Sequence, residues 1–272
     1  MLFVAIDIQS TPESPVLKWG FVLLTLYTGP IGAFLYVLGC REPLPDTHEQ
    51  FVSATWRQVL GSTMHCVAGD GVGILAGAVI GWLFVLPAPI AIALEYALGF
   101  GFGWAIFQAL FMRDMAGGSF LQSMRRTFMP ELLSMNCLMG GMVPLAAFAR
   151  GWLPKARDAV TPEFWFVMSM ALLFGFCIAY PMNWWLVTRH LKHGMMTVRR
   201  LTTGTPNGTV HHDHGHAGAA AGNGVSDPSH PPHDARRGSM EQAPVTTIGL
   251  LAMTVVSFIV LGIGLALVPL LG

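Results

Sequence analysis

The sequence predicts an all-α fold, a polytopic membrane helix bundle with about six transmembrane helices. Three observations predict it. Of the 272 residues, 53% are hydrophobic and only 11% are charged, with a mean hydropathy of +0.55, whereas soluble domains carry about 25% charged residues. The apolar residues gather into runs long enough to cross a bilayer, which takes about 20 residues each. The few polar groups inside those runs recur at helical spacing.

Six runs are long enough, near 17–40, 59–86, 88–112, 128–149, 163–189 and 245–270. The second and third are separated by Pro87-Ala88-Pro89, a tight uncharged turn in which proline removes the backbone donor that a helix needs. Residues 1–200 then form the membrane bundle with its first five helices, and 244–272 form the sixth. Between them, 201–243 is a different material. It carries six of the ten histidines, including His211, His212, His214 and His216, amid Gly, Ala, Pro and polar residues. Such a composition cannot bury a core, so it reads as a disordered loop. Asp114 to Arg126 reads as an amphipathic segment lying at the interface.

Basic residues set the expected orientation. Arg41, Arg57, Arg113, Arg125, Arg126, Arg189, Lys192, Arg199, Arg200, Arg236 and Arg237 fall on one side. Lys18, Arg150, Lys155 and Arg157 fall on the other. The positive-inside rule places the richer side, with the His-rich loop, in the cytoplasm and both termini outside a bacterial inner membrane. Met1 to Glu13 has no basic start and contains Asp7, so it does not read as a cleaved signal peptide.

Several classes are disfavoured. The net charge is zero, which gives no hint of a nucleic-acid partner. The four cysteines form no CxxC pair, which speaks against a disulfide scaffold and a structural zinc site. There is no GxxxxGK[ST] phosphate loop, no HExxH and no GxSxG. A bis-histidine haem needs two deep histidines, and only His65 is deep.

The second run carries the chemistry. His65, Gly69, Gly73, Gly77 and Gly81 fall four apart on one face, and Cys66 and Asp70 form a neighbouring pair. Glycines at that spacing admit a second helix closely, while a carboxylate at that depth must face protein or water. Glu95 shares a face of the third run with Gly99 and Gly103. Glu131 begins the fourth, near the inner surface, with Met135, Met139 and Met142 stacked above it. Together Glu131, His65, Asp70 and Glu95 make a candidate ladder for a cation. Methionines at this spacing are more often packing than ligands, yet thioether, thiol and imidazole in one bundle would suit a soft ion such as Cu(I). His190 and His193, beyond the fifth run, could pass metal from the His-rich loop or anchor at headgroups.

These blocks resemble an uncharacterised bacterial multi-pass membrane family, filed as a domain of unknown function. The resemblance covers about residues 55–200 and rests on His65-Cys66-Val67-Ala68-Gly69-Asp70, on Glu95-Tyr96 with the glycines after it, on Phe107-Gln108, on Met129-Pro130-Glu131 with Ser134-Met135-Asn136, and on Lys192-His193-Gly194-Met195. Some similar sequences carry a second cysteine where Asp70 stands and a glutamate where Ile74 stands. The chain thus departs from the more thiol-rich form, which weakens any carry-over of soft-metal chemistry. The resemblance implies a bacterial inner-membrane protein and carries no activity.

Three readings follow. The leading one is an integral membrane protein that transports or handles a metal cation, copper-like or divalent, with room for proton coupling. Its path would be His65, Cys66, Asp70, Glu95 and Glu131, and further metal ligands would be Met135, Met139, His190, His193 and the loop histidines. The second is a redox or enzymatic membrane component with a metal site. The third is a non-catalytic partner whose glycine faces pack against a copy of itself or another membrane protein. On balance the chain reads as a non-enzyme whose partners are the bilayer and a metal ion.

Overall fold

The computed structural model describes residues 1–11, 13, 15–42, 44, 47–109, 119–192, 194 and 246–271. Within them every secondary-structure element is a helix. A short α1 (Leu2–Asp7) leads into α2 (Pro15–Thr28) and α3 (Pro30–Gly39), and a short α4 (His48–Val52) precedes α5 (Thr55–Leu83). There follow α6 (Ala88–Gln108), α7 (Phe120–Trp152), α8 (Pro162–Thr188) and α9 (Thr247–Leu271). Helices α5 to α9 are the ones long and apolar enough to cross a membrane, five among the described residues.

The first expected span is not among them. The apolar run at 17–40 breaks at Gly29, whose φ of +62° and ψ of −133° only glycine adopts at little cost, and Pro30 starts a new helix in the first-turn position that tolerates it. The result is a helical hairpin. Helix α2 runs alongside α5, with Gly20 against His65 and Ala68 and Tyr27 against Gly71. Helix α3 turns back, so that Gly39 meets Leu60. Phe21 and Tyr36 pack edge to face across the hairpin. The Tyr36 hydroxyl donates to Asp7 at 2.9 Å, and Arg41 pairs with Asp7 at 3.0 Å, which brings the chain's beginning and the hairpin's exit to one end. That end, the basic end of the bundle, also holds the starts of α5, α7 and α9. Five spans, an odd number, put the two termini on opposite sides of the membrane, which corrects the expectation that both lie outside.

Small residues set the spacing of the spans. A side chain at Gly73 would strike the Leu98 carbonyl, and one at Gly77 would come within 2.7 Å of the Glu95 backbone. Gly81 faces Ala91 further along the same contact. Helices α7 and α9 touch where Gly140 meets Gly264, and α7 and α8 where Gly141 meets Gly175. Such close approach gains van der Waals contact that larger side chains would forbid in lipid. Helix α9 is the most peripheral span, with Leu251, Val255, Ile259 and Ile263 all more than half exposed. It is tied to the bundle by Asn136, which donates to the Ser257 hydroxyl at 3.2 Å.

Candidate functional site

The last turn of α6, Phe102–Gln108, is π-helical and opposes the polar stretch of α5. The wider turn brings Gly103, Phe107 and Gln108 to face α5, a distortion common at functional sites. Phe107 covers Gly69 and meets the His65 ring edge-on at 5.4 Å. Gln108 donates to the Cys66 sulfur at 2.6 Å. Gly103 leaves the room in which two carboxylates meet: a side chain there would strike Asp70 and come within 2.6 Å of Glu131.

Asp70 and Glu131 are both fully buried. No neutral donor among the described residues reaches any of their four oxygens. Among the described residues the cation beside them is Lys192, whose ammonium lies 3.5 Å from Glu131 Oε2 and donates to Asn183 Oδ1 at 2.8 Å. Asn183 in turn donates to Ser134 at 3.0 Å, which fixes the orientation of its amide. The centre therefore contains two carboxylates and one ammonium, closed off from water on most sides.

The position of Lys192 has a local cause. Helix α8 ends at Thr188 with Arg189 as its cap, and His190 takes a left-handed φ of +55°. The backbone then doubles back, with Leu191 and Lys192 both donating to the Leu186 carbonyl at 3.0 and 3.2 Å. This is the kind of helix termination that glycine usually makes. It points the lysine into the bundle. A cavity of about 290 Å³ at the basic end reaches the centre from there, lined by Arg126, Thr127, His190, Gln108 and Lys192.

The candidate residues separate in space. Asp70 and Glu131 meet, although the apolar run alone places Glu131 near the inner surface. Helix α7 begins at Phe120 rather than near 128, so Glu131 lies eleven residues in, about 16 Å at the helical rise. His65 and Cys66 neighbour the centre, through Phe107 and Gln108 respectively. Glu95 stands apart, level with Gly77 toward the opposite end of α5. Met135, Met139 and Met142 are buried in the apolar core. His190 is exposed at the basic end, while His193, His211, His212, His214 and His216 lie outside the described residues. Among the described residues, no three His, Cys, Asp or Glu side chains converge as a metal ion would require. Gln108 and Lys192 entered through the blocks of the family resemblance, and none of Lys192, Gln108 and Asn183 read as a site residue. The available signal was a polar residue inside an apolar run for the latter two, and for Lys192 only its place just past a helix end.

Five apolar spans around a buried carboxylate pair define the class: a polytopic helical membrane protein with an ionisable centre inside the bundle. A family model described as "Domain of unknown function (DUF4396)" matches residues 55–192, and the chain belongs to that family. The match begins at the first residue of α5 and ends at Lys192 itself, so it encloses every member of the centre. No curated protein and no solved structure matches the chain.

Proposed function

We propose that this protein binds and passes a small monovalent cation, in the first instance a proton, through the Asp70–Glu131–Lys192 centre. One observation carries the reading. With all three groups ionised the centre holds a net charge of minus one, in surroundings where an unbalanced buried charge is expensive. A proton on either carboxylate, or one monovalent ion between them, balances it. A divalent ion would overshoot. The centre also has a route in, since the cavity at the basic end is lined by Lys192 and Gln108, which touch Glu131 and Cys66.

A soft metal finds less to hold it. The Cys66 thiol is engaged by Gln108, and the three methionines of α7 are packed in the core. The proposal makes the chain a carrier or a channel component rather than an enzyme, and the Lys192 ammonium acts as a fixed counter-charge that the incoming cation must share or displace.

The test is reconstitution in liposomes with a pH-sensitive dye inside. Asp70→Asn keeps the size and hydrogen bonding of the side chain and removes the charge. Proton flux should fall at least tenfold in that variant and in Glu131→Gln, with the melting temperature and elution profile preserved. Were Asp70 only a packing group, Asn would substitute well, because interhelical hydrogen bonds average about 0.6 kcal/mol. Wild-type flux in Asp70→Asn would overturn the proposal.

A further inference from the structure

A second cavity, of about 680 Å³, lies at the end of the bundle opposite the basic end. It is separate from the Asp70 centre and shares no lining residue with the cavity that reaches Lys192. Most of its wall is apolar, from Ala78, Trp82, Met142 and Phe164. Among the described residues, the charged ones that face it are Glu95, Arg150 and Arg157. Its size falls in the range of small-molecule sites, roughly 300–1,000 Å³.

Glu95 is only 6% exposed, yet its carboxylate takes no hydrogen bond and makes no ion pair with any described residue. Arg150 is similarly unsatisfied. Its Nε is buried without a partner, and its hydrogen bond goes to the thioether of Met168 at 3.3 Å, a weak acceptor. Among the described residues no ion pair joins Arg150 to Glu95. Glu95 is buried and Arg150 half-buried, so charges of opposite sign that share one wall without pairing are costly unless something bridges them.

Their depths set an order. Glu95 is seven residues in from the start of α6 at Ala88, about 10 Å at the helical rise. Arg150 is two residues from the end of α7, and Arg157 lies beyond that helix altogether, in the turn Pro154–Arg157. A ligand entering from this end meets guanidinium first and carboxylate last. A bare cation is repelled at the mouth. A bare anion stops at the arginines and leaves Glu95 unpaired. A molecule with a leading amine and a trailing oxyanion satisfies both.

We propose that this cavity binds a small zwitterion, its ammonium on Glu95 and its carboxylate or phosphate on Arg150 and Arg157. An aminophospholipid headgroup carries the same charges in the wrong order for this site, because its phosphate lies deeper in the bilayer than its ammonium. Trp82 and Phe164 supply apolar wall for the carbon chain between the charges.

Titration calorimetry on the full chain in detergent tests this with the ω-amino acids glycine, β-alanine, 4-aminobutanoate and 5-aminopentanoate. Ethylamine and propanoate serve as single-charge controls. At least one member of the series should bind saturably, with neither control matching it within tenfold. The preferred member reads the spacing between Glu95 and Arg150. Glu95→Gln and Arg150→Gln should each weaken binding at least tenfold, while Arg150→Lys, which keeps the charge, should lose less. Melting temperature and elution profile establish that each variant is folded, and Glu95→Asp replaces Glu95→Gln if the latter is not. Three outcomes overturn the proposal: no member of the series binds; Glu95→Gln binds as well as the wild type; or the protein retains an aminophospholipid that the soluble series does not displace.

Discussion

Lys192 sits four residues beyond the last turn of α8, where a lysine near a membrane ordinarily reaches outward to water or headgroups. Here it is 5% exposed and points inward. The cause is the left-handed backbone at His190, which folds the chain back on Leu186, together with acceptors waiting inside at Asn183 and Glu131. A second buried pair lies outside the spans. His48 Nε2 and Glu13 Oε1 are 2.8 Å apart, both side chains fully buried. Burial pushes the Glu13 pKa above its ordinary value of 4.5, and the His48 and Lys18 charges offset this only in part. The folded state thus holds the Glu13 proton more tightly than the unfolded chain does. The stability this contributes is fully present below the unfolded value and is lost as pH rises through the folded one. Glu13→Gln mimics the protonated carboxyl, so its melting temperature should depend less on pH than the wild type's above pH 4.5. Thermal melts from pH 4 upward (about half a pH unit per step) check this; parallel curves for the two proteins would refute it.

At the scale of elements, the hairpin of α2 and α3 decides the architecture around α5. The Tyr27 hydroxyl donates to the Val67 carbonyl at 2.7 Å, and Ser169 of α8 donates to the Tyr27 carbonyl. The hairpin tip is therefore held between α5 and α8. Gly29 makes the turn, and a methyl placed there would meet nothing within 4 Å. Any cost of Gly29→Ala is then backbone strain alone, of order 1–3 kcal/mol. The variant should fold with a lower melting temperature while proton flux per folded molecule is retained. An unchanged melting temperature would show that the turn is not under this constraint. The glycines of α5 behave differently, because Gly73 and Gly77 face the backbone of α6 and leave a side chain no space.

For the whole molecule, the count of spans sets the topology. The hairpin enters and leaves at the basic end, so it adds residues to the bundle without adding a crossing. Cysteine labelling distinguishes the two arrangements. Engineered Gln9→Cys and Leu270→Cys should react with an impermeant reagent from opposite sides of sealed vesicles; labelling of both from the same side would restore an even number of crossings. The two cavities also lie at opposite ends of the bundle, one reaching Lys192 and the other Glu95. The closely packed glycine contacts between α5 and α6 separate them along the axis.

Much of this was legible in the amino-acid order. The charge-poor composition and the lengths of the apolar runs specify an all-helical membrane bundle, because lipid leaves unsatisfied backbone no other solution. Asp70 stood out because charge in the middle of such a run is costly, whereas Glu131 read only as a residue near the inner surface. Hydropathy could not determine that the run at 17–40 folds in half, since it counts apolar residues and takes no account of the positive φ at Gly29 or the new start at Pro30. Nor could it pair Asp70 with Glu131 across Gly103, because that depends on how far α7 extends below its apolar run and on the wider π turn of α6. Lys192 was the least legible of all. Its sequence context is that of an ordinary basic helix end, and only the reversal of the chain at His190 turns it from a surface charge into the counter-ion of a buried carboxylate. Periodicity and composition report which residues prefer to leave water, whereas the meeting of polar groups far apart in the chain is set by helix ends, turns and close backbone approach in three dimensions.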